Sequence, residues 1–148
     1  MWFAENRWSS SLNPLAPLYR LADRLRFRRH GDAGKHGEDL AHRYLRGIGL
    51  LVVARNWRPP QGGGEIDLIA CETSASGDTL VFVEVKFRAS DEWGTPERNV
   101  DDEKRIALRR AARDYVRRAR ADPGRVRFDV IAITGGAIEH LRDAFPAM

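Results

Sequence analysis

The most constraining feature of this sequence is the run 79–88 (TLVFVEVKFR), in which β-branched and aromatic side chains predominate. Such a run, bounded by polar turn residues, predicts a β-strand. Alternate side chains of a strand point to opposite faces, so Glu84 and Lys86 share a face with Phe82, opposite Val83. A central strand of a mixed sheet is usually apolar on both faces. Two charges at such a place need a specific reason, because burying an unpaired ion costs several kcal/mol.

The rest of the chain predicts alternating helices and strands. Apolar residues at helical spacing predict a first helix, whose apolar face consists of Leu40, Ala41, Tyr44, Leu45 and Ile48. β-rich runs predict further strands at residues 50–54, 65–71, 126–134 and, as a short last strand, 137–141. A second helix is predicted from about residue 101 to 120. The order α-β-β-β-α-β-β predicts an α/β fold with a mixed central sheet flanked by helices.

A second acidic residue lies inside an apolar strand. In residues 65–71 (EIDLIAC), alternation puts Ile66, Leu68 and Ala70 on one face and Glu65, Asp67 and Ile69 on the other. Asp67 would lie beside Glu84 if the two strands pair. Adjacent carboxylates repel each other, and a hard divalent cation such as Mg²⁺ relieves that repulsion. The alternative is an ordinary ion pair, within or across strands, at a solvated strand end.

Glu38 is a third candidate acid, at the margin of the first helix's apolar face. From that margin its carboxylate can face the sheet. The alternative is a first-turn glutamate stabilised by the helix dipole, and the sequence favours neither interpretation over the other.

Basic residues suggest a phosphate-bearing partner. The chain has 25 Lys and Arg against 21 Asp and Glu, and arginines dominate the polar face of the second helix. A solvated basic face is the common explanation for such a pattern, and contact with a polyanion is the alternative. Lys104 projects into the apolar sector of that helix, where it either snorkels or points towards the charged strand residues. The predicted phosphate contacts are Arg58, Arg88, Lys104, Arg105, Arg109 and Arg113.

Residues 1–33 form a separate N-terminal region, a basic extension expected to be partly disordered or loosely docked. An arm that touches phosphates or a membrane surface is the alternative; the folded domain is predicted at 34–148. A single cysteine, Cys71, excludes an internal disulfide and a multi-cysteine zinc site. No apolar run could span a bilayer, and no secretory signal is recognisable. These features predict a cytoplasmic protein without stable membrane insertion.

Two motifs, Gly64-Glu65-Ile66-Asp67-Leu68-Ile69 and Phe82-Val83-Glu84-Val85-Lys86 with Arg88, resemble the YraN family of bacterial proteins. Arg55-Asn56-Trp57-Arg58 and Arg127-Phe128-Asp129 agree with that resemblance, which covers roughly residues 34–146. The family is similar to the restriction-endonuclease-like, or PD-(D/E)xK, superfamily, which includes Holliday-junction resolvases. The superfamily's Pro-Asp is Ile66-Asp67 in this chain.

The resemblance implies a restriction-endonuclease-like fold and a metal-dependent endonuclease site. Asp67 and Glu84 would take the two acidic positions and Lys86 the lysine, while Glu38 matches the helical acid of many members. Asp67, Glu84, the carbonyl of Val85 and Glu38 would hold Mg²⁺ or Mn²⁺ for phosphodiester hydrolysis. Lys86 would orient water or stabilise developing charge.

The expected partner is nucleic acid, DNA rather than RNA, and resemblance to resolvases adds a homodimer as an expectation. A non-catalytic nucleic-acid-binding module that retains the nuclease fold is the competing interpretation. The intact acids and lysine argue against that module, because a site without a reaction to perform is free to lose them.

Overall fold

The structure is a computed structural model and describes residues 33–88 and 102–147. Its elements are α1 (Ala33–Gly47), β1 (Leu51–Trp57), β2 (Ile66–Ser74), β3 (Gly77–Arg88), α2 (Asp102–Ala119), β4 (Val126–Thr134) and β5 (Ala137–Phe145). The predicted α/β class and the order α-β-β-β-α-β-β are confirmed. Residues 1–32 lie outside the described part, so the predicted N-terminal extension at 1–33 stays a prediction.

The five strands form one mixed sheet in the order β1-β2-β3-β4-β5, with β3 at its centre. Neighbouring strands are antiparallel except β3 and β4, which are parallel and lie on either side of α2 in the chain. Parallel neighbours need such a crossover connection, whereas antiparallel ones need only short turns. The strand that carries Glu84 and Lys86 is therefore covered by neighbours on both edges.

Within the described residues, one helix packs against each face of the sheet. Ala41 and Leu45 of α1 pack against one face, where the buried strand residues are Leu68, Ala70, Val81, Val83, Ile131 and Ile133. Leu108, Ala112 and Tyr115 of α2 pack against the other face, together with Phe82 and Phe128. The predicted alternation in β3 is confirmed by this division, since Val81 and Val83 face α1 and Phe82 faces α2.

Two predictions about individual apolar residues are wrong. Ile66 packs in the cluster on the α2 side, whereas Leu68 belongs to the cluster on the α1 side, so the two do not share a face. The regular pairing of β2 with β3 begins only at Leu68 and Val83, and Ile66 precedes it. Ile48 is 44% exposed because α1 ends at Gly47 and Ile48 already belongs to the turn.

The turn before β2 fixes the position of α2. Gly64 has a φ of 119°, and a Cβ atom there would lie 3.2 Å from the carbonyl oxygen of Ala107. Only glycine allows this backbone conformation together with such a close approach. The start of β2 and the first half of α2 are thereby held against each other. Within residues 33–88 and 102–147, no helix is long and apolar enough to cross a bilayer.

Candidate active site

Asp67 and Glu84, hereafter the carboxylate pair, lie where the β2–β3 ladder ends. The last regular partners are Leu68 and Val83. One step beyond them, the backbone N–H of Val85 donates to Oδ2 of Asp67 at 2.8 Å. The predicted pairing of these two strands is confirmed, and it brings the Asp67 carboxylate against the backbone of β3 next to Glu84.

The electrostatics of the carboxylate pair are unfavourable. Burial raises the pKa of Asp67 to about 7, and the negative charge of Glu84 adds to that rise, against the lowering effect of the Val85 N–H. The Glu84 side chain is only 6% exposed. Its Oε2 atom is buried and has no hydrogen-bond partner in the part of the chain that the structure describes. A buried carboxylate oxygen in this condition is uncommon and calls for a missing partner.

Two lysines approach the other oxygen of Glu84. The Nζ atom of Lys86 lies 3.3 Å from Glu84 Oε1, and the Nζ atom of Lys104 lies 3.5 Å from the same atom. Lys86 comes from β3 itself, as strand alternation predicts. Lys104 comes from the first turn of α2. The sequence leaves open whether its side chain snorkels or points towards the charged strand residues, and in the structure it points towards them.

The residues present fit a divalent cation. A hard cation between Asp67 and the buried Glu84 Oε2 would relieve their repulsion and supply the missing partner. Val85 offers a further oxygen: its N–H faces Asp67, and the C=O of a strand residue points to the same side as its N–H. Among the described residues no group of three or more His, Cys, Asp or Glu could hold a metal ion, so the acids of this site are two.

Glu38 is held slightly apart from the carboxylate pair. Its Oε2 atom accepts a hydrogen bond from Asn56 Nδ2 at 3.1 Å and lies 3.6 Å from the Arg55 guanidinium. Glu38 is nevertheless close enough for its charge to contribute to the raised pKa of Asp67. The predicted metal coordination by Glu38 stays a prediction.

Arg55 and Asn56, which the sequence offers only as part of a motif, contact Glu38 in the structure. Asn56 has a φ of 48°, a left-handed conformation that asparagine tolerates better than most residues. Arg55 also forms an ion pair with Asp39 at 2.7 Å. A polar Arg-Asn step inside an otherwise apolar strand was the available signal.

The predicted phosphate contacts are distributed over several environments. Lys104 is at the carboxylate pair, whereas Arg105 and Arg109 lie over the Phe145 ring, 5.5 and 5.7 Å from its centroid. Arg58 forms an ion pair with Glu65 at the start of β2, and Arg113 is exposed on α2. The side chain of Arg88 lies outside the described residues.

A second polar cluster, hereafter the ion-pair network, consists of Tyr44, Glu72, Arg127, Asp129, His140 and Arg142. Asp129 is 1% exposed and accepts from Arg127 Nε at 2.8 Å and from the Asp143 N–H at 3.0 Å. Its pKa is lowered, because the hydrogen bonds from His140, Arg127 and the Asp143 N–H outweigh burial. The carboxylate of Glu72 accepts hydrogen bonds from the guanidinium groups of Arg127 and Arg142. Sequence reasoning assigned Asp129 no role, although it too is an acid inside an apolar strand.

Comparison with known proteins places the whole site in one family. Residues 37–133, which contain the carboxylate pair, both lysines and Glu38, match the uncharacterised protein family UPF0102. The chain belongs to this family. The predicted resemblance to the YraN family is confirmed by that match.

Several UPF0102 relatives align over most of their length. A UPF0102 protein of Solibacter usitatus (strain Ellin6076) is 56% identical over 132 residues, covering 86% of this chain and 97% of the relative. One from Rhodococcus opacus (strain B4) is 48% identical over 117 residues, covering 76% and 94%. One from Nitratidesulfovibrio vulgaris (strain DP4) is 46% identical over 116 residues, covering 76% and 82%.

Proposed function

We propose that this UPF0102 protein is a metal-dependent endonuclease that hydrolyses phosphodiester bonds in DNA. The observation that carries the proposal is the buried Oε2 atom of Glu84, which has no hydrogen-bond partner among residues 33–88 and 102–147 and lies next to Asp67, whose pKa is raised to about 7. Such an arrangement is costly without a cation, and strained electrostatics concentrate at functional sites. Two lysines at the same carboxylate add the positive charge that a phosphate substrate needs.

Each residue has a separate task in this proposal. Asp67 and Glu84 would hold Mg²⁺ or Mn²⁺ together with the carbonyl of Val85. When bound there, the cation would supply Lewis-acid polarisation of the phosphoryl group and acidify a water molecule. Lys86, whose side chain is 28% exposed, can reach both Glu84 and a substrate at the site mouth. It would orient the attacking water or stabilise charge on the phosphate.

The substrate class follows from charge and from the superfamily resemblance. The chain carries a net charge of +4, and Arg113 together with Arg110 and Arg117 presents exposed positive charge along α2 beyond Lys104. This surface would bind the phosphate backbone on either side of the cleavage point without reading base sequence. The likeness to Holliday-junction resolvases makes branched DNA the first substrate to test, with the protein acting in the cytoplasm and as a homodimer.

The decisive experiment is a cleavage assay on branched, flapped, single-stranded and linear duplex DNA, with Mg²⁺, with Mn²⁺ and with a chelator. We expect metal-dependent cleavage that Glu84→Ala and Asp67→Ala abolish. Glu139→Ala, at an exposed position of β5, is the matched control and should cleave as the parent protein does. Salt-sensitive DNA binding without any metal-dependent cleavage would contradict the enzyme proposal and favour a non-catalytic DNA-binding module.

A further inference from the structure

We infer that Lys104 is a second catalytic lysine, which contacts the scissile phosphate from the α2 side of the site. The inference rests on the proposed nuclease function and adds a residue outside the acidic and lysine positions of the strand motif. It goes beyond the expectation drawn from sequence, which placed Lys104 among the phosphate contacts and left open whether its side chain points towards the charged strand residues. A general contact would lie on the outer surface of α2, whereas Lys104 reaches Glu84 in the sheet.

The packing of α2 against the sheet fixes the helix face that carries Lys104. It belongs to the first turn of α2 and lies one turn before Ala107 and Leu108, so the three share a helix face. Leu108 is buried against the sheet, and Ala107 meets the backbone of Gly64 at the turn that leads to Asp67. The face that carries Lys104 is therefore fixed against the strand that carries Asp67.

The two lysines approach Glu84 from different layers of the fold. Lys86 belongs to β3, and the Nζ atom of Lys104, on α2, lies 3.5 Å from Glu84 Oε1. The Lys104 side chain is 37% exposed, so a bound substrate can reach it. A phosphate seated beside the carboxylate pair would thus have an ammonium group of β3 on one side and one of α2 on another.

Charge balance gives the second lysine a task in the reaction. The charges of Asp67, Glu84, Lys86 and Lys104 cancel, and a divalent cation leaves two positive charges in excess. A phosphodiester carries one negative charge, and attack by a water molecule that releases its proton to solvent adds a second one in the transition state. With Lys104 present, the net charge of the site reaches zero only when the transition state is bound. An interaction that favours the transition state over the bound substrate accelerates the chemical step. Without Lys104, the bound substrate would already bring the net charge to zero.

Lys104→Met separates this role from a structural one, with Lys104→Arg as the conservative variant and Arg142→Met as control. Arg142 is a 52% exposed cation that pairs with Glu72 in the ion-pair network. We expect Lys104→Met to slow single-turnover cleavage in saturating Mn²⁺ about 10²–10³-fold, the effect of removing one transition-state donor. Lys104→Arg should recover part of the rate, and Arg142→Met should cleave normally.

Calorimetric titration with Mn²⁺ alone supplies a second, independent measurement. Removing a positive charge next to Glu84 should leave Mn²⁺ affinity equal to that of the parent protein or increase it, while the cleavage rate falls. Weaker Mn²⁺ binding by Lys104→Met, or loss of its folded structure, would assign the lysine a structural role and overturn the inference. Cleavage by Lys104→Met within about threefold of the parent rate would also overturn the inference, but it would leave the nuclease proposal intact. Failure of the parent protein to cleave would overturn both.

Discussion

The carboxylate pair and the ion-pair network are both built from acids on interior strands, yet their electrostatics are opposite. In the network, Asp129 receives donors from Arg127, His140 and the Asp143 backbone, and its pKa is lowered. In the carboxylate pair, the pKa of Asp67 is raised to about 7, and one oxygen of Glu84 lacks a hydrogen bond from any described residue. Asp129 and Glu84 are both buried, so burial alone does not distinguish the two clusters.

The difference is in what the surrounding strands supply. The chain surrounds Asp129 with the Arg127 guanidinium, the His140 imidazole and a backbone N–H from β4 and β5, which is the usual condition for a buried ion. At Glu84, both lysines lie on Oε1, and Oε2 faces no donor within the described segments. A completed network stabilises the fold, whereas an incomplete one marks the place where the protein can bind a cation that it does not itself contain.

The largest expected effect comes from removing the central acid of the network. Asp129→Ala leaves Arg127 and His140, whose side chains are 14% and 6% exposed, without their shared partner and should lower the free energy of unfolding by about 3–5 kcal/mol. Urea denaturation followed by tryptophan fluorescence measures the change. The matched variant is Asp67→Ala, the same substitution on β2, which removes a repelling charge and should leave stability unchanged or higher. Equal losses in both variants would erase the distinction between the clusters.

The sequence predicts the fold well where alternation is regular and poorly where polar residues interrupt a strand. The predicted strand 126–134 coincides with β4, because its apolar pattern has clear ends. The last strand was predicted to end at residue 141, and it continues to Phe145. Its exposed Arg142 and Asp143 resemble a loop, and Asp143 has a positive φ of 52°. An edge strand with one solvated side lacks the apolar repeat that sequence reasoning needs.

The site could be predicted only in part for a related reason. Strand alternation correctly put Glu84 and Lys86 on one face, and pairing of β2 with β3 brought Asp67 beside them. The same criterion, a charge in an apolar strand, applies equally to Asp129. Whether such an acid is satisfied depends in part on residues of a neighbouring strand, such as His140 on β5, and the sequence carries no signal for that side-chain pairing.

The second prediction concerns stability against pH in metal-free buffer. Because the folded-state pKa of Asp67, about 7, lies above its ordinary value of 3.8, folding favours the protonated form. The free energy of unfolding should therefore fall as pH rises from about 4 to about 7, by up to about 1.4 kcal/mol per pH unit. Asp129 and Glu72 have lowered pKa values, so their contribution is present above their unfolded values and is lost as pH falls further.

Urea denaturation at pH 4, 5, 6 and 7 with a chelator measures this dependence. Asp67→Asn should remove the decline between pH 4 and 7, because an amide does not titrate, and should keep the loss at more acidic pH. A decline that survives in Asp67→Asn would have to come from another group, and the contrast between the two clusters would lose its electrostatic basis.

The smallest expected effect is stabilisation by the cation, and it tests the contrast most directly. Mn²⁺ at about ten times its dissociation constant should raise the free energy of unfolding by about 1.4 kcal/mol, because it binds only the folded site. Thermal unfolding with and without Mn²⁺ measures the gain. Glu84→Gln should abolish it, since the amide removes the charge that attracts the ion. Glu72→Gln makes the same substitution in the ion-pair network and should retain the full gain, although the variant itself is less stable. A gain that disappears in both variants, or in neither, would mean that Mn²⁺ does not bind between Asp67 and Glu84. The Glu84 oxygen that lacks a hydrogen bond from the described part of the chain would then need another explanation.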